Sequence, residues 1–354
     1  MADRATLAAY ERHGRRWARR RPAVPHLVAL ARWVDTEAAP GPRIDLGCGT
    51  GGYLSALGAP VVALDAASAM LAALPARHPA AWPVRADLEA LPFRREALAG
   101  AWARASYLHV PPARLALALA HLHHALVPGA PFAGTVTEGA PGWRAPDGDD
   151  CPGRRFAFWA APDLAETLEG AGFRVEDLRG DGEWLTFRAR RAVTLPDYVA
   201  PGLGLLVVGI NPSPRAAATG VPFAGPGNRF WAAARLAGLV PPGVDRDPWT
   251  ALGCGTGFTD LVKRPTPRAA DLRPKELREA AARLERVVRR HRPAAVCIAG
   301  LGIGRRLLGA SGPGPAGTMG GRPAYVMPNP SGANAASRLE VLVEHLRRAA
   351  GSGR

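Results

Sequence analysis

Two asparagine–proline turns follow apolar runs in the second half of the chain. They are Gly209-Ile210-Asn211-Pro212-Ser213 and Met327-Pro328-Asn329-Pro330-Ser331-Gly332. Proline fixes the backbone at each turn, so each asparagine amide is held in place. Such an amide can donate and accept hydrogen bonds but cannot act as a strong base. Between the turns, Phe223 can offer an aromatic face. Lys263-Arg264 and the basic segment 277–292 can meet phosphates. The first half carries a different set. Asp45-Leu46-Gly47-Cys48-Gly49-Thr50-Gly51-Gly52 is a glycine-rich turn at a strand end, where side chains would block a ligand. Asp65 ends the next apolar run and can accept from ribose hydroxyls. Asp87 ends the one after and can accept from an exocyclic amine such as that of adenine.

These residues need strands and helices to place them. Residues 5–36 have a loose helical period. Strands are expected at 43–46, 61–65, 83–87 and from 100 towards 108, then a helix over 114–126 stopped by Pro128-Gly129. Further strands are expected near 131–137 and 184–190. Alternation at this spacing means a parallel α/β sheet. Pro196, Pro201 and two glycines mark 191–203 as a linker between domains over 1–190 and 204–354. In the second domain, 205–210, 295–298 and 324–327 read as strands. Residues 228–236, 277–290 and 337–349 read as helices. Two strand ends in one sheet bring the asparagine turns face to face across a crevice.

The ordered set Ile44–Gly52, Asp65 and Asp87, with Arg104–Val110 and Leu126-Val127-Pro128-Gly129, resembles the class I S-adenosylmethionine-dependent methyltransferases over about 25–190. The resemblance implies that Asp45 and the backbone of Gly47, Gly49 and Gly51 hold the methionine part. Asp65 then takes the ribose, and Asp87 with Leu88 the adenine. A dinucleotide-binding fold, or a domain that has lost its cofactor, is the alternative. His109 lies where such enzymes place substrate contacts, while His121, His123 and His124 decorate a helix. The motifs of 203–349, including Thr219–Trp231 and Thr259–Thr266, resemble the mismatch-specific uracil/thymine DNA glycosylases of the uracil-DNA glycosylase superfamily. The fold implied is two three-layer α/β domains: a Rossmann-like methyltransferase fold, then a uracil-DNA-glycosylase-like fold. In the second, Asn211 would orient the attacking water. Ile210, Ser213, Phe223, Asn329 and Ser331 would bind the base, with Phe223 stacking on it. Gly332, Ala333 and Asn334 stand where a DNA wedge is expected, and Ala333 is small for that task. Lys263 and Arg264 would contact DNA phosphate. The glycosylase would need no cofactor and no metal, and would act on uracil or modified pyrimidines in G·U-type mispairs of double-stranded DNA.

Composition agrees with two globular domains. The chain has 354 residues, 47% hydrophobic and 21% charged. Residues 1–195 carry 23 basic and 20 acidic side chains, and 196–354 carry 22 and 10. The surplus in the second half suits a polyanion. Only Lys263 and Lys275 are lysines; the other basic residues are arginines. Cys48, Cys151, Cys254 and Cys297 form no C-x-x-C, which argues against a zinc ribbon or a disulfide framework. No apolar run approaches the roughly 20 residues that span a bilayer. A cytoplasmic, nucleoid-associated bacterial monomer is expected, with a methyl acceptor that the sequence leaves unnamed. The competing reading is a small-molecule or RNA methyltransferase whose second half only binds DNA.

Overall fold

The computed structural model describes residues 2–18, 22–332 and 337–353. The chain divides into two compact units, residues 1–169 with 173–192, and residues 170–172 with 193–354.

The first unit is built on one mixed sheet. Its strands are β1 (Arg43–Leu46), β2 (Val61–Asp65), β3 (Ala81–Arg85), β4 (Gly100–Arg104), β5 (Pro131–Glu138), β6 (Gly142–Arg144), β7 (Phe156–Trp159), β8 (Phe173–Gly180) and β9 (Trp184–Arg191). The parallel part runs β3-β2-β1-β4-β5, and β9 pairs antiparallel with β5 and with β8. The central strands β1, β2 and β4 are almost wholly buried, as parallel strands covered on both faces must be. In β9 buried and half-buried residues alternate along the whole strand, the signature of an antiparallel strand with one wet face. The helical period of residues 5–36 belongs to two helices, Arg4–Ala18 and Pro25–Glu37. Pro25 opens the second, where its missing N–H is harmless.

The second unit has a five-stranded sheet of β10 (Leu205–Gly209), β11 (Thr256–Asp260), β12 (Ala295–Ala299), β13 (Gly314–Met319) and β14 (Arg322–Met327). The order is β11-β10-β12-β14-β13, with only β13 antiparallel. Every residue of β10 and β12 is buried. Helices Phe230–Leu236 and Leu339–Gly351 contribute Phe230, Trp231, Leu342 and Leu346 to a core shared with Val207 and Phe258. Of the four cysteines, Cys48, Cys151 and Cys297 are buried, while Cys254, just past helix Pro248–Gly253, is exposed.

Of the stretch expected as a linker, residues 193–203 group with the second unit, while Arg191 and Ala192 group with the first. Leu195, Tyr198, Val199 and Leu203 are each buried. Tyr198 and Phe258 exchange two backbone hydrogen bonds of 2.9 Å, and the Tyr198 hydroxyl donates to Gly220 O at 2.6 Å. Prolines mark irregular backbone, but the apolar side chains between them still have to be buried. Residues 193–203 are therefore a strap on the sheet.

Candidate functional sites

In the first unit the glycine-rich turn leaves β1 and curls beneath β2. The Gly47 and Cys48 N–H groups both donate to Leu64 O. Gly47 and Gly49 have φ of +72° and +55°. A side chain at Gly47 would collide with Ser106, whereas one at Gly49 would enter open space. These residues border a cavity of about 380 Å³, also lined by Asp45, Asp65, Asp87 and Leu88. Gly51 does not line it; a side chain there would meet Leu74 and His78, and Gly52 takes its place. Asp65 is pinned by N–H donors from Gly49 at 2.9 Å and Ala67 at 2.8 Å. Asp87 accepts from Glu89 N at 2.9 Å and from Ala2 N. Asp45 is 2% exposed, and its Oδ2 is buried with no hydrogen-bond partner among the described residues. Burial, then the nearby Asp65 carboxylate, pushes Asp45 up to about 8. A cationic ligand group would relieve that isolation.

His109 lines the same cavity. Its Nδ1 faces Arg155 O at 3.1 Å, and a carbonyl can only accept. Nδ1 therefore carries the proton, and Nε2 accepts from the Tyr10 hydroxyl at 2.8 Å. That hydroxyl in turn accepts from Arg154 at 3.0 Å. Burial pushes His109 down to about 4, so it is neutral at pH 7 with both nitrogens engaged. Tyr10 and Arg154 had no motif to mark them. His123 does not decorate its helix: it is 2% exposed and reaches Ala192 O at 3.0 Å.

In the second unit the two asparagine turns leave β10 and β14, which flank β12. Ile210, Asn211, Ser213, Phe223, Asn329 and Ser331 all line one cavity of about 510 Å³. The Asn211 amide has a fixed orientation. Its Nδ2 lies 2.8 Å from Thr266 Oγ1, 3.0 Å from Arg264 O and 3.2 Å from Pro212 O. Two of these are carbonyls, and the Thr266 hydroxyl already donates to Arg268 O at 2.7 Å. All three can only accept, so Nδ2 must be the nitrogen, and Oδ1 is left as an acceptor for a ligand or water. Ser213 Oγ accepts from Ala216 N at 3.1 Å and caps helix Pro214–Thr219. Asn329 Oδ1 accepts from Ser331 N at 3.0 Å, closing its own turn.

Phe223 has φ of +56°, a strained conformation for a bulky residue. Its ring stacks on the buried Phe230, with centroids 4.4 Å apart and planes 23° apart. Gly332 packs on Gly227 and does not line the cavity; Ala333 and Asn334 lie outside the described residues.

The phosphate role expected of Lys263 does not fit its surroundings. Its ammonium lies 2.9 Å from Asp197, whose side chain is 4% exposed, and Arg283 pairs with the same carboxylate. The strap carries Asp197 inward, and Lys263 follows the charge. Arg264 stays half exposed but binds Glu276 with Nε at 2.6 Å and a second nitrogen at 2.8 Å. Arg283 points inward from the basic helix Pro274–His291, and Arg289 pairs with Glu285 at 2.6 Å. The motif reading also passed over Asp260, which ends β11 and lines the cavity. Its place within the Thr259–Thr266 motif was the available signal.

Residues 196–348 match the family model for the uracil DNA glycosylase superfamily, and residues 44–129 match that for a methyltransferase domain. Among solved structures, a methyltransferase from Mesorhizobium loti, described as S-adenosylmethionine-dependent, is 21% identical. That match covers 46% of this chain and 96% of that one, with a TM-score of 0.39. The 1,6-didemethyltoxoflavin N1-methyltransferase of Burkholderia thailandensis is 20% identical over 52% of this chain and 85% of that one, with a TM-score of 0.41.

Proposed function

For a chain that carries a methyltransferase domain followed by a uracil DNA glycosylase superfamily domain, we infer that the second unit is a monofunctional DNA glycosylase. It would hydrolyse the N-glycosidic bond of uracil or a modified pyrimidine in G·U-type mispairs of double-stranded DNA. The target nucleotide is flipped out of the stack into the 510 Å³ cavity. Phe223 meets the face of the base, and the backbone at 210–213 and Asn329 meet its edges. As the bond breaks, positive charge grows on the sugar and negative charge on the base, and fixed dipoles stabilise both.

The carrying observation is the anchored Asn211 amide, which leaves Oδ1 to accept from a water. A neutral amide orients that water without removing its proton, so the enzyme is slow compared with one using a carboxylate. Of the two lysines, Lys263 is bound to Asp197 and Lys275 extends from helix Pro274–His291 with its side chain 77% exposed. Neither lines the cavity, which supports hydrolysis over an amine-linked strand break.

In the first unit the orphaned Asp45 Oδ2 and the open space beside Gly49 fit S-adenosylmethionine. Asp45 would face its cationic methionine end, Asp65 its ribose, and Asp87 with Leu88 its adenine. When bound, that group supplies an electrophilic methyl.

Base release from a labelled G·U duplex tests the glycosylase reading. Wild-type protein is expected to produce alkali-dependent breaks at the uracil. Asn211→Ala should lower the single-turnover rate by about a hundredfold or more, about 2.7 kcal/mol. No release from G·U, etheno-cytosine or single-stranded uracil would leave the second unit as a DNA-binding module.

A further inference from the structure

Arg104 ends β4 and is the only arginine or lysine among the described residues that line the cavity of the first unit. The acidic side chains there are Asp3, Asp45, Asp65, Asp87 and Glu89. Among the described residues no hydrogen bond or ion pair ends on the Arg104 guanidinium. It lies instead on the Trp184 ring, its central carbon 4.8 Å from the ring centroid. Trp184 opens β9, and β5 separates β9 from β4. The guanidinium therefore leans across β5, away from β1 and its glycine-rich turn. The next residue, Ala105, has φ of +51°, a conformation that costs a non-glycine residue free energy. Beyond it, Ser106 packs on Gly47 and so faces the other way. Its hydroxyl is buried in the cavity wall with no hydrogen-bond partner among the described residues. One strained residue thus divides a side chain turned to the glycine-rich turn from a cation turned away from it.

We propose that Arg104 anchors a carboxylate of the methyl acceptor, which makes the acceptor a small monocarboxylic acid. This rests on the S-adenosylmethionine reading of the first unit. A guanidinium stacked on an indole keeps its N–H edges in its own plane, where they can form two parallel bonds to a carboxylate. The same fork would also fit a phosphate, but a phosphate monoester carries nearly two negative charges at pH 7. That charge would sit in a cavity already lined by five acidic side chains. Residues 1–195, with 23 basic and 20 acidic side chains, are also nearly balanced and do not suit a nucleic acid. The two charges to be bound are thus served by different strands, a cationic group by Asp45 on β1 and a carboxylate by Arg104 on β4. With both carboxylate oxygens held by the fork, the methylated atom lies elsewhere on the acceptor.

The test is calorimetric binding to the full-length protein saturated with S-adenosylhomocysteine, for wild type and Arg104→Met. The probes are benzoate, benzamide and phenyl phosphate, which share a phenyl ring and differ in the head group. Wild type should bind benzoate at least about tenfold more tightly than either of the others. Arg104→Met should bind benzoate at least about tenfold more weakly than wild type does, while melting at the same temperature and keeping its affinity for S-adenosylhomocysteine. Equal benzoate binding by the two proteins, or benzamide bound as tightly as benzoate, would overturn the proposal and leave the cofactor site standing. So would phenyl phosphate as the tightest probe. A variant that melts as wild type does but binds S-adenosylhomocysteine about tenfold more weakly would give Arg104 to the carboxylate of the cofactor, which also overturns the proposal. No binding of S-adenosylhomocysteine by wild type removes the cofactor reading and this role with it. Phenylglyoxal modification of Arg104, followed by peptide mass mapping of the wild-type protein, guards against misfolding of the variant. Benzoate should protect Arg104 and benzamide should not; equal modification with and without benzoate would overturn the proposal.

Discussion

At Asn211 the side chain is chosen by its surroundings as much as by its chemistry. Three acceptors face Nδ2: Pro212 O, Arg264 O and Thr266 Oγ1. An aspartate there would set a carboxylate oxygen against two carbonyls. In isolation a carboxylate is the stronger base, but here Asn211→Asp should bind a proton in order to fold. We expect no gain in uracil release at pH 7 and a loss of about 1–3 kcal/mol of stability, the scale for an unmatched buried polar group. Urea denaturation beside single-turnover kinetics checks both; a faster and equally stable variant would show that Thr266 turns to donate. Asn211, Phe223 and Asn329 were legible because their types and spacing carry chemistry. The relay through Thr266 to Arg268 was not, because hydroxyl-to-carbonyl bonds leave no pattern in sequence.

At the scale of elements, the buried strands announced themselves. Leu205–Gly209 and Ala295–Ala299 are short apolar runs that end in glycine or alanine. Phe173–Gly180 did not: it carries Arg174, Glu176, Asp177 and Arg179, because much of its surface meets water. The strap was misread for a related reason, since prolines and glycines signal irregular backbone and say nothing of burial. Its Asp197 holds two largely buried cations, Lys263 and Arg283. Removing it by Asp197→Ala should destabilise the second unit by about 3–5 kcal/mol, the scale for breaking a buried ion pair. The loss should appear in urea denaturation, with base release recovered in proportion to the folded fraction. A variant as stable as wild type would show that Lys263 and Arg283 find other partners.

For the whole molecule, the charge is divided as the proposed activities are. Residues 196–354 hold 22 basic side chains against 10 acidic ones, while 1–195 are nearly balanced. Lys263 and Arg283 are turned inward, and Arg264 and Arg289 are held by acids, so the face available to DNA carries fewer cations than the count suggests. Duplex affinity should fall with salt at a log–log slope near about −4, corresponding to about four phosphates, whereas small-molecule binding in the first unit should barely change. Fluorescence anisotropy across a KCl series reads the slope, and a flat line would assign the arginine surplus to solvation. The cysteine distribution makes that experiment simple to build. Cys254 is exposed and the other three thiols are buried. A maleimide fluorophore should therefore attach at one position, in the unit proposed to bind DNA, without any engineered substitution.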